Sequence, residues 1–372
     1  MNSAGNITHD GLPQLGNTTL GYFSTYFSSP LITTEFYDYT DDESGNLCTY
    51  PQHSVTFLPM LYSLYFVLGM LGNALVLWVI VMGVRLRSMT DICLFNLSLA
   101  DLLLVGSLPF LAHQVREQWV FGVAVCKLVL GVYYVGYYSG IYFITLMGID
   151  RYLAIVHAVY ALRVRTRTYG ILASMVVWIA AILSSFPEVL ASKLTNANAS
   201  DQSMCTRDFQ AGEGLPDVAI FKMNILGFVI PLAILLFCYT RILLTLLRGR
   251  TAKRQAVRLV VVVMVAFLFC WAPYNVSLFL YGLHNQGFFE DCESSKALAL
   301  SLQITEVIAY THCCLNPVLY VFVGVKLRRH LFKLLSKSLC VRCGFLKAYL
   351  TAASGGSVYS RTSNTSERST AV

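Results

Sequence analysis

Seven separate stretches of this chain are apolar for long enough to cross a lipid bilayer, and that pattern alone removes most other folds from consideration. They fall at about 55–82, 89–115, 122–156, 168–190, 218–247, 255–283 and 297–323. Backbone groups in lipid have no water to pair with, so each stretch must satisfy its own hydrogen bonds as a helix. The expected fold is an all-α membrane protein, a seven-transmembrane-helix bundle. Prolines at Pro109, Pro187, Pro231, Pro273 and Pro317 fall inside the stretches and predict kinks, because each removes one helical hydrogen bond.

Composition supports this. Only 13% of the 372 residues are charged and 56% are hydrophobic, whereas soluble proteins carry roughly 25% charged residues. The formal charge of +7 is therefore not a nucleic-acid footprint, and no nucleic-acid partner is expected. Its distribution is the informative part. With the amino terminus outside, only Arg116, Lys127, Lys193, Arg207, Lys222 and Lys296 of the 27 basic residues lie on the outer side. Inner loops hold more positive charge than outer ones, so this asymmetry fixes the orientation, with the carboxyl terminus in the cytoplasm.

The chain then divides into four parts. Residues 1–53 form an acidic extracellular tail, too polar to bury a core and expected to be disordered. It shows no cleavable signal peptide, so the first span must direct insertion. Residues 54–324 make the seven-helix domain. Residues 325–338 place Leu327, Leu331, Leu334 and Leu335 at helical spacing opposite Lys326, Arg329, Lys333 and Lys337, which predicts a short amphipathic eighth helix on the membrane lipid. Residues 339–372 form a disordered cytoplasmic tail rich in Ser and Thr. Asn6, Asn17 and Asn198 begin glycosylation sequons. Cys340 and Cys343 are candidate palmitoylation sites beside the amphipathic helix.

Four cysteines remain outside the spans, Cys48, Cys126, Cys205 and Cys292, and four allow three pairings. Cys126 opens the third helix and Cys205 lies within the second outer loop. Cys48 and Cys292 precede the first and seventh helices, which are neighbours in a closed ring. The favoured pairing is Cys126–Cys205 with Cys48–Cys292. No metal-ligand spacing appears, and no cofactor is expected.

Polar residues within the spans carry the functional signal, because a charge at bilayer depth is costly. Asn73, Asp101 and Asn316 are expected to form a buried network between the first, second and seventh helices. Glu306 lies nearer the outer mouth, where a carboxylate suits a cationic ligand group. At the inner end of the third span stands Asp150-Arg151-Tyr152, where each charge can screen the other until that face opens. On the tail, Tyr37-Asp38-Tyr39-Thr40-Asp41-Asp42-Glu43 sets two tyrosines among acids, a context that favours sulfation and recruitment of a basic ligand.

Five motifs stand in order on five spans: Gly72-Asn73, Leu99-Ala100-Asp101, Asp150-Arg151-Tyr152, Cys270-Trp271-Ala272-Pro273 and Asn316-Pro317-Val318-Leu319-Tyr320. Together they resemble the rhodopsin-like G-protein-coupled receptors. The runs 143–159, Gln118-Trp119-Val120-Phe121-Gly122 and Thr311-His312-Cys313-Cys314-Leu315-Asn316-Pro317 are similar to those of C-C chemokine receptors. Ser107-Leu108-Pro109 departs from that family's usual Thr-x-Pro, and Leu111 stands where several relatives carry an aromatic or amide side chain.

The resemblance implies a plasma-membrane receptor that binds a basic chemokine outside and activates a heterotrimeric G protein of the inhibitory class, with chemotaxis and calcium signalling as outputs. It implies that Tyr62, Tyr133, Tyr274 and Glu306 line the pocket. Asp101, Asp150, Arg151, Tyr152, Tyr239, Trp271, Pro273, Asn316, Pro317 and Tyr320 would form the activation switch. Arrestin and receptor kinases would act on the Ser/Thr-rich tail. The alternative in the same fold is a decoy receptor that internalises chemokine without signalling, although such receptors often alter the Asp-Arg-Tyr stretch that is intact here. A transporter would want matching broken helices in two halves, and an enzyme would want a catalytic motif. Neither is visible.

Overall fold

The computed structural model describes residues 54–84, 86, 88–196, 203–207, 215–248, 254–286, 288, 291–323, 330 and 331. Seven of its helices are long and apolar enough to cross a membrane. The tail residues Tyr37, Asp38, Tyr39, Asp41, Asp42, Glu43, Asn6 and Asn17 lie outside the described residues, as do Cys48, Asn198, Cys340 and Cys343. Only His330 and Leu331 of the expected amphipathic helix are described. Leu331 is buried against Val76, Val79 and Ile80 of the first span.

The first span is α1 (Ser54–Val79), which ends in a wider π-turn at Ile80–Val84. α2 (Met89–Arg116) begins on a capping box, in which Ser88 accepts from the Asp91 amide and Asp91 accepts from the Ser88 amide. α3 (Gly122–Val156) starts on a glycine with φ of 78°, a left-handed conformation that L side chains rarely adopt. A one-residue break at His157 leads to the short α4 (Ala158–Val164), then α5 (Arg167–Ala191). Among the described residues, one antiparallel hairpin, β1 (Ser192–Asn196) with β2 (Ser203–Arg207), interrupts the otherwise helical order. Neither α4 nor the hairpin was expected from hydropathy, because both are shorter than a spanning element.

The fifth span comes in two pieces, α6 (Leu215–Asn224) and α7 (Ile230–Arg248), joined by a π-turn at Ile225–Val229. Pro231 explains the join. It offers no N–H to the carbonyl four residues earlier, and the wider turn accommodates its ring. α8 (Arg254–Asn285) and α9 (Cys292–Val323) complete the bundle with Pro273 and Pro317 inside them. Asp291 caps α9 by accepting from the Ser294 amide at 2.9 Å, and that bond holds its carboxyl below the usual carboxylate range.

α1 packs on α2 and α9, α2 on α3, α3 on α5 and α7, and α8 on α9. One close backbone approach explains a glycine. A side chain at Gly136 of α3 would meet the Leu104 amide at 2.7 Å, so only glycine lets α3 lie this near α2. The core is unusually aromatic, with Tyr134, Tyr138 and Phe143 fully buried. Outward-facing Leu64, Leu71, Val176, Leu183, Phe186, Phe237 and Phe269 stay exposed, as expected of side chains that meet lipid.

Candidate functional site

Cys205 of β2 is bonded to Cys126 of α3, so the hairpin lies over one end of the bundle. The first of the two expected disulfides is thus present. Its companion cannot be placed, because Cys48 lies outside the described residues, while Cys292 opens α9. A second tether was not anticipated. Gln114 of α2, 1% exposed, donates to the Cys205 carbonyl at 3.3 Å and accepts from the Cys205 amide at 3.1 Å. Its side chain therefore stands in for a neighbouring strand. The Trp119 amide adds a bond to the Ser203 carbonyl at 2.7 Å.

Beneath the hairpin end, Glu306 of α9 is 2% exposed. Tyr310, one turn below, donates to it at 2.6 Å, and its oxygen accepts in turn from the Tyr133 hydroxyl at 3.1 Å. The Tyr62 ring meets Tyr310 edge-on at 5.7 Å. Three of the expected pocket residues, Tyr62, Tyr133 and Glu306, therefore converge on Tyr310, which sequence reasoning passed over. Tyr274 is buried on α8. A buried carboxylate with a phenol donor among aromatic rings is chemically suited to a cationic group.

Deeper in the bundle, Asn316 donates to the Asp101 carboxylate at 2.8 Å, and Asn73 donates to the Cys313 carbonyl at 2.9 Å. The first, second and seventh spans are joined as expected, although Asn73 reaches backbone rather than Asp101. His312 lies 4.0 Å from Asp101 and 5.5 Å ring to ring from Trp271. Asp101, His312 and Cys313 offer oxygen, nitrogen and sulfur within 4.8 Å of one another, a set that could hold a metal ion. Chain spacing hid it because the donors come from two spans.

At the opposite end, the Asp150 carboxylate is fully buried. Arg151 stands 4.0 Å away, but the close partner is Arg165, whose Nε donates at 2.6 Å. Thr90 donates to the same carboxylate at 2.7 Å. The expectation that Asp150 and Arg151 chiefly screen each other needs this amendment: Arg165, just past α4, takes the carboxylate and leaves the Arg151 side chain 42% exposed. Tyr152 bonds His157 at 2.9 Å and packs on Phe237. Tyr239 of α7 is buried, its hydroxyl 3.9 Å from where a side chain at Gly148 would begin. Pro273 and Pro317 lie within α8 and α9, and Tyr320 falls near the end of α9.

One further constellation pairs two charges that the sequence left apart. Lys222, counted there among outer charges, lies inside the fifth span and is paired with Glu188 of α5 at 2.7 Å. Both are lone charges in apolar stretches, the criterion that singled out Asp101 and Glu306. Their positions near span ends let them pass for boundary residues.

Residues 72–320 match the family described as 7 transmembrane receptor (rhodopsin family). The chain is 44% identical over 301 residues to C-C chemokine receptor type 8 of Mus musculus, covering 80% of this chain and 83% of that one. It is 45% identical over 300 residues to the Homo sapiens C-C chemokine receptor type 4, covering 79% and 83%. With the Homo sapiens type 1 receptor the identity is 44% over 314 residues, covering 83% and 87%.

Proposed function

This chain belongs to the rhodopsin family of seven-transmembrane receptors and, within it, to the C-C chemokine receptors, and we propose that it binds a basic chemokine at the hairpin end and activates a heterotrimeric G protein of the inhibitory class at the other. The observation that carries this reading is the pairing of two ends on one bundle. Glu306 sits among Tyr62, Tyr133 and Tyr310 at the hairpin end, and the half-exposed Arg151 stands at the opposite end. A chemokine's amino terminus carries the cation that such a carboxylate would accept. The exposed guanidinium supplies a planar set of donors for carbonyls on a partner.

The excess of basic residues in alternate loops supports an extracellular amino terminus and a cytoplasmic carboxyl terminus in the plasma membrane. On this reading the protein transmits binding and catalyses nothing. Chemotaxis and calcium signalling follow downstream, and arrestin and receptor kinases act on the Ser/Thr-rich tail. The test is chemokine-stimulated guanine-nucleotide exchange in membranes carrying the protein, with ion flux followed in parallel. Exchange without flux supports the reading. Chemokine uptake without exchange would make the protein a decoy receptor, and flux would make it a channel.

The acidic tail yields a prediction of its own. Chemokines are basic, so Tyr37, Tyr39 and their four acidic neighbours attract them over a Debye length of about 8 Å at physiological salt. Each tyrosine sulfate adds charge and acceptors that match arginine forks. Replacing Tyr37 and Tyr39 with Phe is expected to slow association and flatten its salt dependence, while maximal signalling at saturating ligand survives. Association kinetics followed across a salt series check this, with sulfation of the parent confirmed by mass spectrometry. Unchanged kinetics would reduce the segment to a solvated spacer.

A further inference from the structure

The Glu188–Lys222 pair has no part in the pocket or the switch described above, yet it places two opposite charges within membrane-spanning segments. Such groups are costly there and are retained for a reason. Glu188 is fully buried. Lys222 reaches both of its oxygens, at 2.7 and 2.8 Å, and also donates to the Ser184 carbonyl at 2.7 Å, near Pro187 of α5. Tyr138 of α3 donates to the same carboxylate at 3.2 Å, and the Lys222 ammonium stands 5.7 Å from the centre of that ring. The third, fourth and fifth spans are thus fastened at one point.

What lies next to that point gives it meaning. Lys222 lies in the last turn of α6, three residues before the π-turn at Ile225–Val229, where the fifth span changes from α6 to α7. α7 carries Tyr239 to the Arg151 end. On α3, Tyr138 meets Tyr137 edge-on at 5.0 Å, and Tyr137 meets Trp271 at 5.3 Å. A side chain at Gly227, inside the π-turn, would collide with the Tyr137 hydroxyl. The fixed point, the change of helix type and the Trp271 contact are therefore contiguous.

We propose that Glu188 and Lys222 are positioning residues that hold α6 against α5, so that α7 below the π-turn is the part of the fifth span that turns when Trp271 is displaced. The pair then governs how fully binding becomes signalling, not how tightly ligand binds. The signalling half of this proposal rests on the chain being a G-protein-activating receptor.

Four forms test it: the parent, Lys222→Met, the apolar double variant Glu188→Leu/Lys222→Met, and Lys222→Arg. The double variant leaves no unpaired buried charge, and apolar replacement of a buried ion pair often preserves stability. The probes are purified C-C chemokines assayed singly, and the binder found for the parent is carried forward. Maximal nucleotide exchange is expected to fall about fivefold or more in the double variant and in Lys222→Met, while Kd stays within about threefold and the double variant keeps the parent's melting temperature. Lys222→Arg, which keeps the charge, is expected to stay within about twofold of the parent. A double variant that signals like the parent would make the pair mere packing and overturn the proposal. So would exchange and affinity falling together in both apolar variants. Should the parent drive no exchange, the receptor reading fails, and a separate measurement decides the anchor. Spin labels at Val159→Cys and Leu247→Cys, both exposed, report the position of α7 without ligand or G protein. The anchor predicts a distance distribution about twofold broader in the double variant than in the parent and in Lys222→Arg. Equal widths in all three refute it.

Discussion

Replacing Arg151 with alanine is expected to abolish chemokine-stimulated nucleotide exchange in a receptor that still reaches the surface and still binds ligand. Arg151 lies at the end of α3, while Cys126, near the start of the same helix, is bonded to the hairpin. The two lie 25 positions apart, about 38 Å at helical rise, so the side chain cannot meet a ligand held beneath the hairpin. Its neighbours explain why it is available to a partner. Arg165 and Thr90 already satisfy the Asp150 carboxylate, and the Arg151 side chain stays 42% exposed. Alanine therefore removes a docking group without orphaning a buried acid. Affinity for ligand is expected to fall only through linkage to G-protein binding, a coupling typically of about 5–150-fold. Exchange and radioligand binding measured on the same membranes separate the two effects. A mutant that signals like the parent would remove Arg151 from the switch.

Glu306→Gln is expected to lower agonist potency by about one to two orders of magnitude. The glutamine keeps the shape and can still accept from Tyr310, so the change removes charge and little else. Hydrogen bonds to charged groups contribute roughly 1.5–3 kcal/mol, which converts to the potency shift above. The control lies in the ligand. Chemokine trimmed of its amino-terminal leader lacks the group that Glu306 would hold, and is expected to bind parent and mutant nearly equally. Equal losses for full-length and trimmed ligand would show that Glu306 supports the tyrosine cluster around Tyr310 rather than the ligand.

Hydropathy made the spans legible because each must carry a near-continuous apolar run whatever its neighbours are. Polar residues within those runs were legible for the same reason, so Asp101, Asn316 and Glu306 were found, and the Asn316–Asp101 bond joins two of the helices expected. What stayed hidden depends on which side chain meets which across the bundle. Arg165 read as one basic residue among several in a loop, yet it is the Asp150 partner, because α4 folds that loop back under α3. Gln114 read as a polar residue at a helix end, and nothing in its own stretch says that it faces the Cys205 backbone. Tyr310 is one tyrosine among 22 in the sequence, and only the convergence of α1, α3 and α9 marks it out. Glu188 and Lys222 could have been found, since each breaks an apolar run, but pairing them required knowing that α5 and α6 bring those turns together.

The two tethers on Cys205 act on different states of the chain. The disulfide joins residues 79 apart. In the chain-entropy view it acts mainly on the unfolded ensemble, removing freedom worth about 4.5 kcal/mol for a loop of that length. Gln114 is silent in that ensemble, where water satisfies both its amide and the Cys205 backbone, and acts only once α2 and β2 have met. Covalent closure therefore narrows the search for the hairpin's place, and the amide fixes its register when it arrives. Reduction would restore the lost freedom of the unfolded chain yet leave the native docking bonds in place, so the hairpin's position and the protein's resistance to unfolding can vary independently.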